Sequence, residues 1–162
     1  MGFLYVCLEN MLKFFLPIVF LFLLINDNYA AREDTGYNRG INNKNISIIN
    51  KLLDNQEYLK SIELITKEIK KDKLNADLYN YLGYAYRKNG NLVLSIKNYK
   101  EALNLNPNHS EAHNYIGIAY LKIGQIYKAK KHLKILEGLC EAKCKEYKSL
   151  EAQLNKILKN EK

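Results

Sequence analysis

Two groups of side chains in this 162-residue chain have the chemistry to do more than fold it: the pair Cys140 and Cys144, and the histidines His109, His113 and His132. Thiolates and imidazoles hold soft metals, and thiols exchange electrons. His109 and His113 stand four apart, which puts two imidazoles on one face only if both lie on the same helix. Cys140 and Cys144 share that spacing. On one continuous helix their sulfurs would share a face yet be badly placed for bonding. If the helix breaks at Glu141–Lys143, their α-carbons can come within the ~4.4–6.8 Å that a disulfide requires. Two small buried thiols are a second reading, and a redox or soft-metal pair a third, although further ligands and the tighter C-x-x-C spacing are missing. No glycine-rich phosphate loop, nucleophile motif or carboxylate pair accompanies these residues. The sequence therefore points to no catalysis, no cofactor and no metal.

What must position these side chains is a repeat. At an offset of 34 residues, Asn80, Tyr81, Gly83, Ala85, Tyr86, Lys88 and Gly90 recur as Asn114, Tyr115, Gly117, Ala119, Tyr120, Lys122 and Gly124. A fixed period of this length marks stacked supersecondary units, each burying its apolar side against the next. Tyr79, Leu82, Gly83 and Tyr86, then Gly90, then Tyr99 and Ala102, then Pro107, resemble the tetratricopeptide repeat, a helix-turn-helix pair closed by proline. That resemblance implies an all-α fold, a right-handed α-solenoid with a C-terminal capping helix. Gly83, and in the same register Gly117, is expected where the two helices of one repeat cross closely, with Ala85 and Ala102 offering similar surfaces. Gly90 reads as a left-handed helix stop, and Pro107 ends the second helix and forces Asn106 out of helical geometry.

The repeat domain is expected over residues 42–162, divided into a degenerate repeat (42–75), two clear repeats (76–109 and 110–143) and a cap (144–162). In the degenerate copy Tyr58, Ile62, Ile65 and Ile69 lie 34 residues before Leu92, Ile96, Tyr99 and Leu103, but the Leu-Gly pair and the glycine turn are missing. Ser95 stands where alanine is usual, a change of one small residue for another. In the last clear copy His113 fills the bulky slot and Glu141 replaces the proline. His109 falls in the turn between repeats, so the two histidines are expected to serve turn and packing roles. Tyr147, Leu150, Leu154, Ile157 and Leu158 form one apolar stripe with lysines opposite, the pattern of a helix that closes an exposed core.

In the tetratricopeptide family the concave wall is lined by first-helix residues that do not pack. By that resemblance the wall here comprises Asn80, Tyr81, Tyr84, Arg87 and Lys88, then Asn114, Tyr115, Ile118, Leu121 and Lys122, continued by Lys145, Lys148 and Lys156 of the cap. Asparagine and tyrosine can bond a peptide backbone, the rings supply contact area, and the basic residues favour an acidic segment or a free carboxylate, against which Asp77 and Glu111 act. The family's carboxylate clamp is not reproduced, since Asn80 and Tyr84 stand where lysine and asparagine belong; a chaperone-tail ligand is not implied. The function expected is non-catalytic binding of a peptide or protein segment. A thiol or metal protein acting through Cys140 and Cys144, or a self-associating envelope scaffold, are the alternatives, and the oligomeric state stays open.

Lys13, a charge-free run from Phe14 to Ile25 and the small residue Ala30 have the layout of an export signal over residues 1–30, starting at Met1 or Met11. The run is shorter than the ~20 residues that span a bilayer, which favours export over a membrane anchor at residues 14–25. Residues 31–41 read as a linker. A small exported bacterial-type protein, periplasmic or secreted, is the expectation. The formal charge is +8, and from Lys122 to Lys162 eleven basic residues face five acidic ones. Lys128, Lys130, Lys131 and Lys134 could touch a membrane surface, while export argues against nucleic acid as partner.

Overall fold

The computed structural model describes residues 43–160, and every regular element among them is an α-helix. The order is α1 (Asn43–Asp54), α2 (Tyr58–Lys71), α3 (Ala76–Lys88), α4 (Leu92–Leu105), α5 (Ser110–Lys122), α6 (Ile126–Cys140) and α7 (Lys145–Asn160). These form three helix pairs and a cap, an all-α helical-repeat solenoid. The expected export signal, its anchor alternative at 14–25 and the linker lie outside the described residues. Among the described residues no helix is long and apolar enough to cross a membrane.

Each first helix ends in the same backbone knot. After α3, the N–H of Asn91 donates to the Tyr86 carbonyl (2.9 Å) and that of Gly90 to Arg87 (3.2 Å), with Gly90 at φ 88°. After α5, Gln125 reaches Tyr120 (2.9 Å) and Gly124 reaches Leu121 (3.1 Å), with Gly124 at φ 72°. This is the Schellman closure, which satisfies carbonyls that the helix end leaves open. The degenerate copy closes identically without glycine: Glu57 reaches Leu52 (2.8 Å), Gln56 reaches Leu53 (3.1 Å), and Gln56 itself takes φ 62°. Absence of a glycine there thus does not mean absence of the turn. The helices α2 and α4 end on residues of strongly negative φ, Asp72 (−134°) and Asn106 (−135°), the latter before Pro107 as expected.

First helices start on side-chain caps at the same period. Asn75 Oδ1 accepts from the N–H groups of Asp77 (3.1 Å) and Leu78 (3.3 Å), and His109 Nδ1 accepts from Ala112 (3.4 Å). The other His109 nitrogen, Nε2, lies 3.0 Å from Asp77 Oδ1 in the first turn of α3.

The core gathers in two clusters. Ile49, Leu53, Ile65, Leu78, Leu82 and Ala85 join α1, α2 and α3; Tyr99, Ile116, Ala119, Ala129, Leu136, Leu150 and Leu154 are among those joining α4 to α7. Ala85, Ala102, Ser95 and its 34-residue counterpart Ala129 are fully buried. Gly83 sits at the expected crossing: a Cβ there would lie 2.6 Å from Cδ1 of Tyr99 on α4. Gly117 does not match it. The atoms nearest its absent Cβ belong to Leu150 of the cap, at 2.5 Å, not to α6. At the position equivalent to Tyr99 stands the shorter, partly buried Leu133, and α7 packs closely enough for Leu150 to reach the glycine.

Where the proline is replaced, α6 runs on to Cys140 and the chain then turns through Glu141 (φ 50°) and Ala142 (φ 58°), two non-glycine residues in left-handed geometry. That break brings the α-carbons of Cys140 and Cys144 to 5.7 Å, and the two are joined in a disulfide between α6 and the start of α7.

His113 packs in the bulky slot, 4% exposed, against a ring from the next helix. Its Nε2 lies 2.8 Å from the Pro107 carbonyl and its Nδ1 lies 2.9 Å from Nδ1 of His132. A carbonyl only accepts, so His113 donates from Nε2 and accepts at Nδ1 from His132, which fixes both neutral tautomers. Tyr120 stacks on His132 at 5.7 Å. Burial holds His113 below the ordinary histidine value, with His109 adding to the effect, and pushes His132 down to about 4.

Two predictions follow from this architecture. Replacing Gln56 by glycine relieves a left-handed side chain and should stabilise the fold by about 1 kcal/mol, seen as a higher urea midpoint at unchanged slope. The histidine pair binds protons less readily folded than unfolded, so its contribution is complete above about pH 6.5 and is lost as the pH falls toward 4. An NMR titration should find the His132 ring changing charge near pH 4 and the urea midpoint falling between pH 7.5 and 5; ordinary titration of both rings would contradict it.

Candidate functional site

The face where α3 and α5 lie side by side carries an aromatic cluster with one guanidinium at its centre. Tyr84 of α3 and Tyr115 of α5 meet with ring centroids 5.3 Å apart and planes at 54°. Tyr115 also meets Tyr99 of α4, at 6.0 Å. The Arg87 guanidinium carbon lies 5.0 Å from the Tyr84 centroid and 5.3 Å from that of Tyr115, while its Nε donates to the Tyr99 hydroxyl at 3.3 Å. Lys88 Nζ lies 5.9 Å from the Tyr84 centroid.

Helix periodicity explains why these residues meet. Tyr84 and Arg87 are three apart, hence neighbours on one face of α3. Tyr115 is presented from the adjacent first helix. A cation over an aromatic face contributes ~0.5–1 kcal/mol when exposed and ~2 kcal/mol when desolvated; Arg87, Tyr84 and Tyr115 are all partly buried, between these limits. Burial pushes the Tyr99 hydroxyl far above the usual tyrosine range, so it stays protonated and can hold Arg87 as an acceptor. Burial, and then the Glu111 charge, also raises Tyr115. The result is a guanidinium fixed by a buried hydroxyl and two rings, with its orientation set before any ligand arrives.

Other residues of the predicted wall divide into three groups. Tyr81 is partly buried against the core shared by α1, α2 and α3, and Lys88, Lys122, Lys145, Lys148 and Lys156 are exposed. Lys145 Nζ stands 3.8 Å from Glu111 Oε1 and 3.6 Å from Glu146 Oε1, next to the first turn of α5. Asn80 and Asn114 are not open wall positions: they are 2% and 6% exposed. The Asn80 amide donates to Glu111 Oε2 (3.3 Å), linking α3 to α5. Burial at both positions, and for Asn80 the bond to α5, is what the structure shows for this repeated pair. In both, the amide oxygen is buried without a hydrogen-bond partner.

Ile118 and Leu121 do not belong to an accessible surface. Both are buried, 5% and 6% exposed, in the cluster that contains Leu150 and Leu154 of α7. The cap covers the part of α5 that corresponds to Tyr84 and Arg87 on α3. A change from aromatic and cationic to aliphatic side chains at equivalent positions was the sequence signal for that cover. Tyr99 is the contributor that the spacing pattern assigned to packing alone; a buried tyrosine needs a partner for its hydroxyl, which pointed to a polar neighbour.

Residues 83–124 match the sequence family of the TPR repeat. No curated protein matches the chain. Among solved structures, the first TPR of Spaghetti (RPAP3) bound to an HSP90 peptide is 19% identical with a TM-score of 0.62, over 75% of this chain and 98% of that one. The Yersinia enterocolitica type III secretion translocator chaperone SycD is 17% identical with a TM-score of 0.65, over 74% and 85% of the respective chains. The second TPR domain of human RPAP3, in complex with an HSP70 peptide, is 26% identical with a TM-score of 0.62, over 70% and 91%. The chain thus carries the helical-repeat fold of tetratricopeptide domains, with its sequence match running from the middle of α3 through α4 to the turn after α5.

Proposed function

We propose that this protein is a non-catalytic binding module that holds an acidic peptide or protein segment along the face formed by α3, α5 and the start of α7. The observation that carries this reading is Arg87, fixed across Tyr84 and Tyr115 by the buried Tyr99 hydroxyl. A preoriented guanidinium offers paired donors to a carboxylate, and the rings offer contact area at small entropic cost. Tyr81, Lys88, Lys122, Lys145 and Lys148 extend the surface, with Asn80 and Asn114 beneath it. Support also comes from structural relatives: the peptides bound to the two RPAP3 structures are SRMEEVD and SGPTIEEVD, both acidic toward one end. SycD has likewise been solved with a peptide of the translocator YopD. Those ligands belong to those proteins, and the clamp residues they imply are not the ones present here.

Export of the mature chain is part of the same proposal. A Cys140–Cys144 disulfide persists in an oxidising compartment and would be reduced in a cytosol, so it suits a periplasmic or secreted location. There it fastens the last repeat to α7, where proline stiffens the previous one.

An array of random dodecapeptides probed with the full chain tests the binding reading. The captured peptides should be enriched in Asp and Glu. Arg87→Gln and Arg87→Ala should each weaken the best binder by at least ~10-fold, the loss of a charge-assisted contact, with helix content by circular dichroism unchanged at the assay temperature although the melting temperature falls with the lost contacts to Tyr84, Tyr99 and Tyr115. Capture that is indifferent to peptide charge, or unchanged in both Arg87 variants, would remove the proposal.

A further inference from the structure

The outer helices carry a second pattern that peptide binding on α3 and α5 does not use. Leu59, Val93 and Tyr127 are spaced by the 34-residue repeat, each the second residue of a second helix, and are 70%, 80% and 70% exposed. Apolar side chains repeated in register at such exposure contribute nothing to the core. On α4 and α6 the same face continues with lysine at four and seven residues further on: Lys97 and Lys100 after Val93, Lys131 and Lys134 after Tyr127, all exposed. Those spacings keep each set on one helical stripe. Lys131 Nζ lies 4.9 Å from the Tyr127 ring centroid, so charge and ring present themselves together.

We propose that the outer face of α4 and α6 docks on an anionic lipid surface. The chemistry fits that occupant on two counts. Lysines close to an anionic headgroup layer raise partition about fivefold each, and the tips of Val93 and Tyr127 can enter the boundary layer, where tyrosine is at home because one end is apolar and the other wet. Lysine stems lie along the same boundary with their heads toward phosphate. Glu101 and Glu137 flank the stripe and reduce its charge without interrupting it. On α2 the equivalent positions are Glu63 and Thr66, so the lipid face belongs to α4 and α6, and Leu59 only extends its apolar line. A second copy meeting this face would bring lysine against lysine.

The chain contains no tryptophan, so Tyr127→Trp in the full chain creates a single reporter on this face. Vesicles containing about a third phosphatidylglycerol should shift its emission to shorter wavelength and brominated lipid should quench it, whereas pure phosphatidylcholine should do neither; lysine-driven binding also weakens in high salt. In a background of K97Q, K100Q, K131Q and K134Q, with helix content unchanged by circular dichroism, the anionic response should fall by at least ~100-fold in apparent affinity. A reporter that stays in water beside anionic vesicles overturns the proposal. So does an equal response to neutral vesicles, a shift that grows with protein concentration alone, or a stronger response to duplex DNA than to vesicles.

Discussion

Each first helix is shut by a backbone reach of five residues, from the N–H after the left-handed position to a carbonyl in the last helical turn, and this recurs at Gln56, Gly90 and Gly124. That closure reverses the chain so that a second helix can return along the first. Because it is made by peptide groups, it leaves side chains free to change between copies. Tyr99 can become Leu133 and Ser95 can become Ala129 without loss of the pairing. The solenoid is thus regular in its backbone and irregular in its packing, and the irregularities decide which surfaces remain available.

Packing is least uniform around α5. It lies between α4, α6 and the cap, and most of its length is buried. The cap, fastened by the disulfide and by Leu150 over Gly117, seals the far part of α5 and leaves Tyr115 and Glu111 beside α3. This confines the aromatic and cationic cluster to the junction of two repeats. Meanwhile the second helices, facing away, carry the exposed lysines and apolar tips. The two chemistries occupy different helices, so contact at one need not obstruct the other.

Much of this was legible from the order of residues. The 34-residue register gave the pairing of helices, Gly90 and Gly124 gave the turns, Pro107 gave the extended Asn106, and the Tyr147–Leu158 stripe gave the cap. The turn at Gln56 was not legible, because a non-glycine residue in left-handed geometry is held there by the backbone bonds of the turn and not by its own preference. Ile118 and Leu121 occupy the positions equivalent to Tyr84 and Arg87 but not the same surface, because the change to aliphatic side chains goes with burial beneath α7. Asn80 and Asn114 are both buried, which a repeated polar residue on a first helix does not reveal by its type. The Arg87 cluster was visible as separate residues, but only the fold shows that one guanidinium touches three tyrosines.

Binding at the face shared by α3 and α5 is read directly by backbone amide NMR of the full chain during titration with an acidic peptide. The largest shifts are predicted at Tyr84, Arg87, Lys88 and Tyr115, with Val93 and Lys97 on the outer side unmoved. A peptide that saturates the protein while leaving the amides of α3 and α5 in place would contradict it.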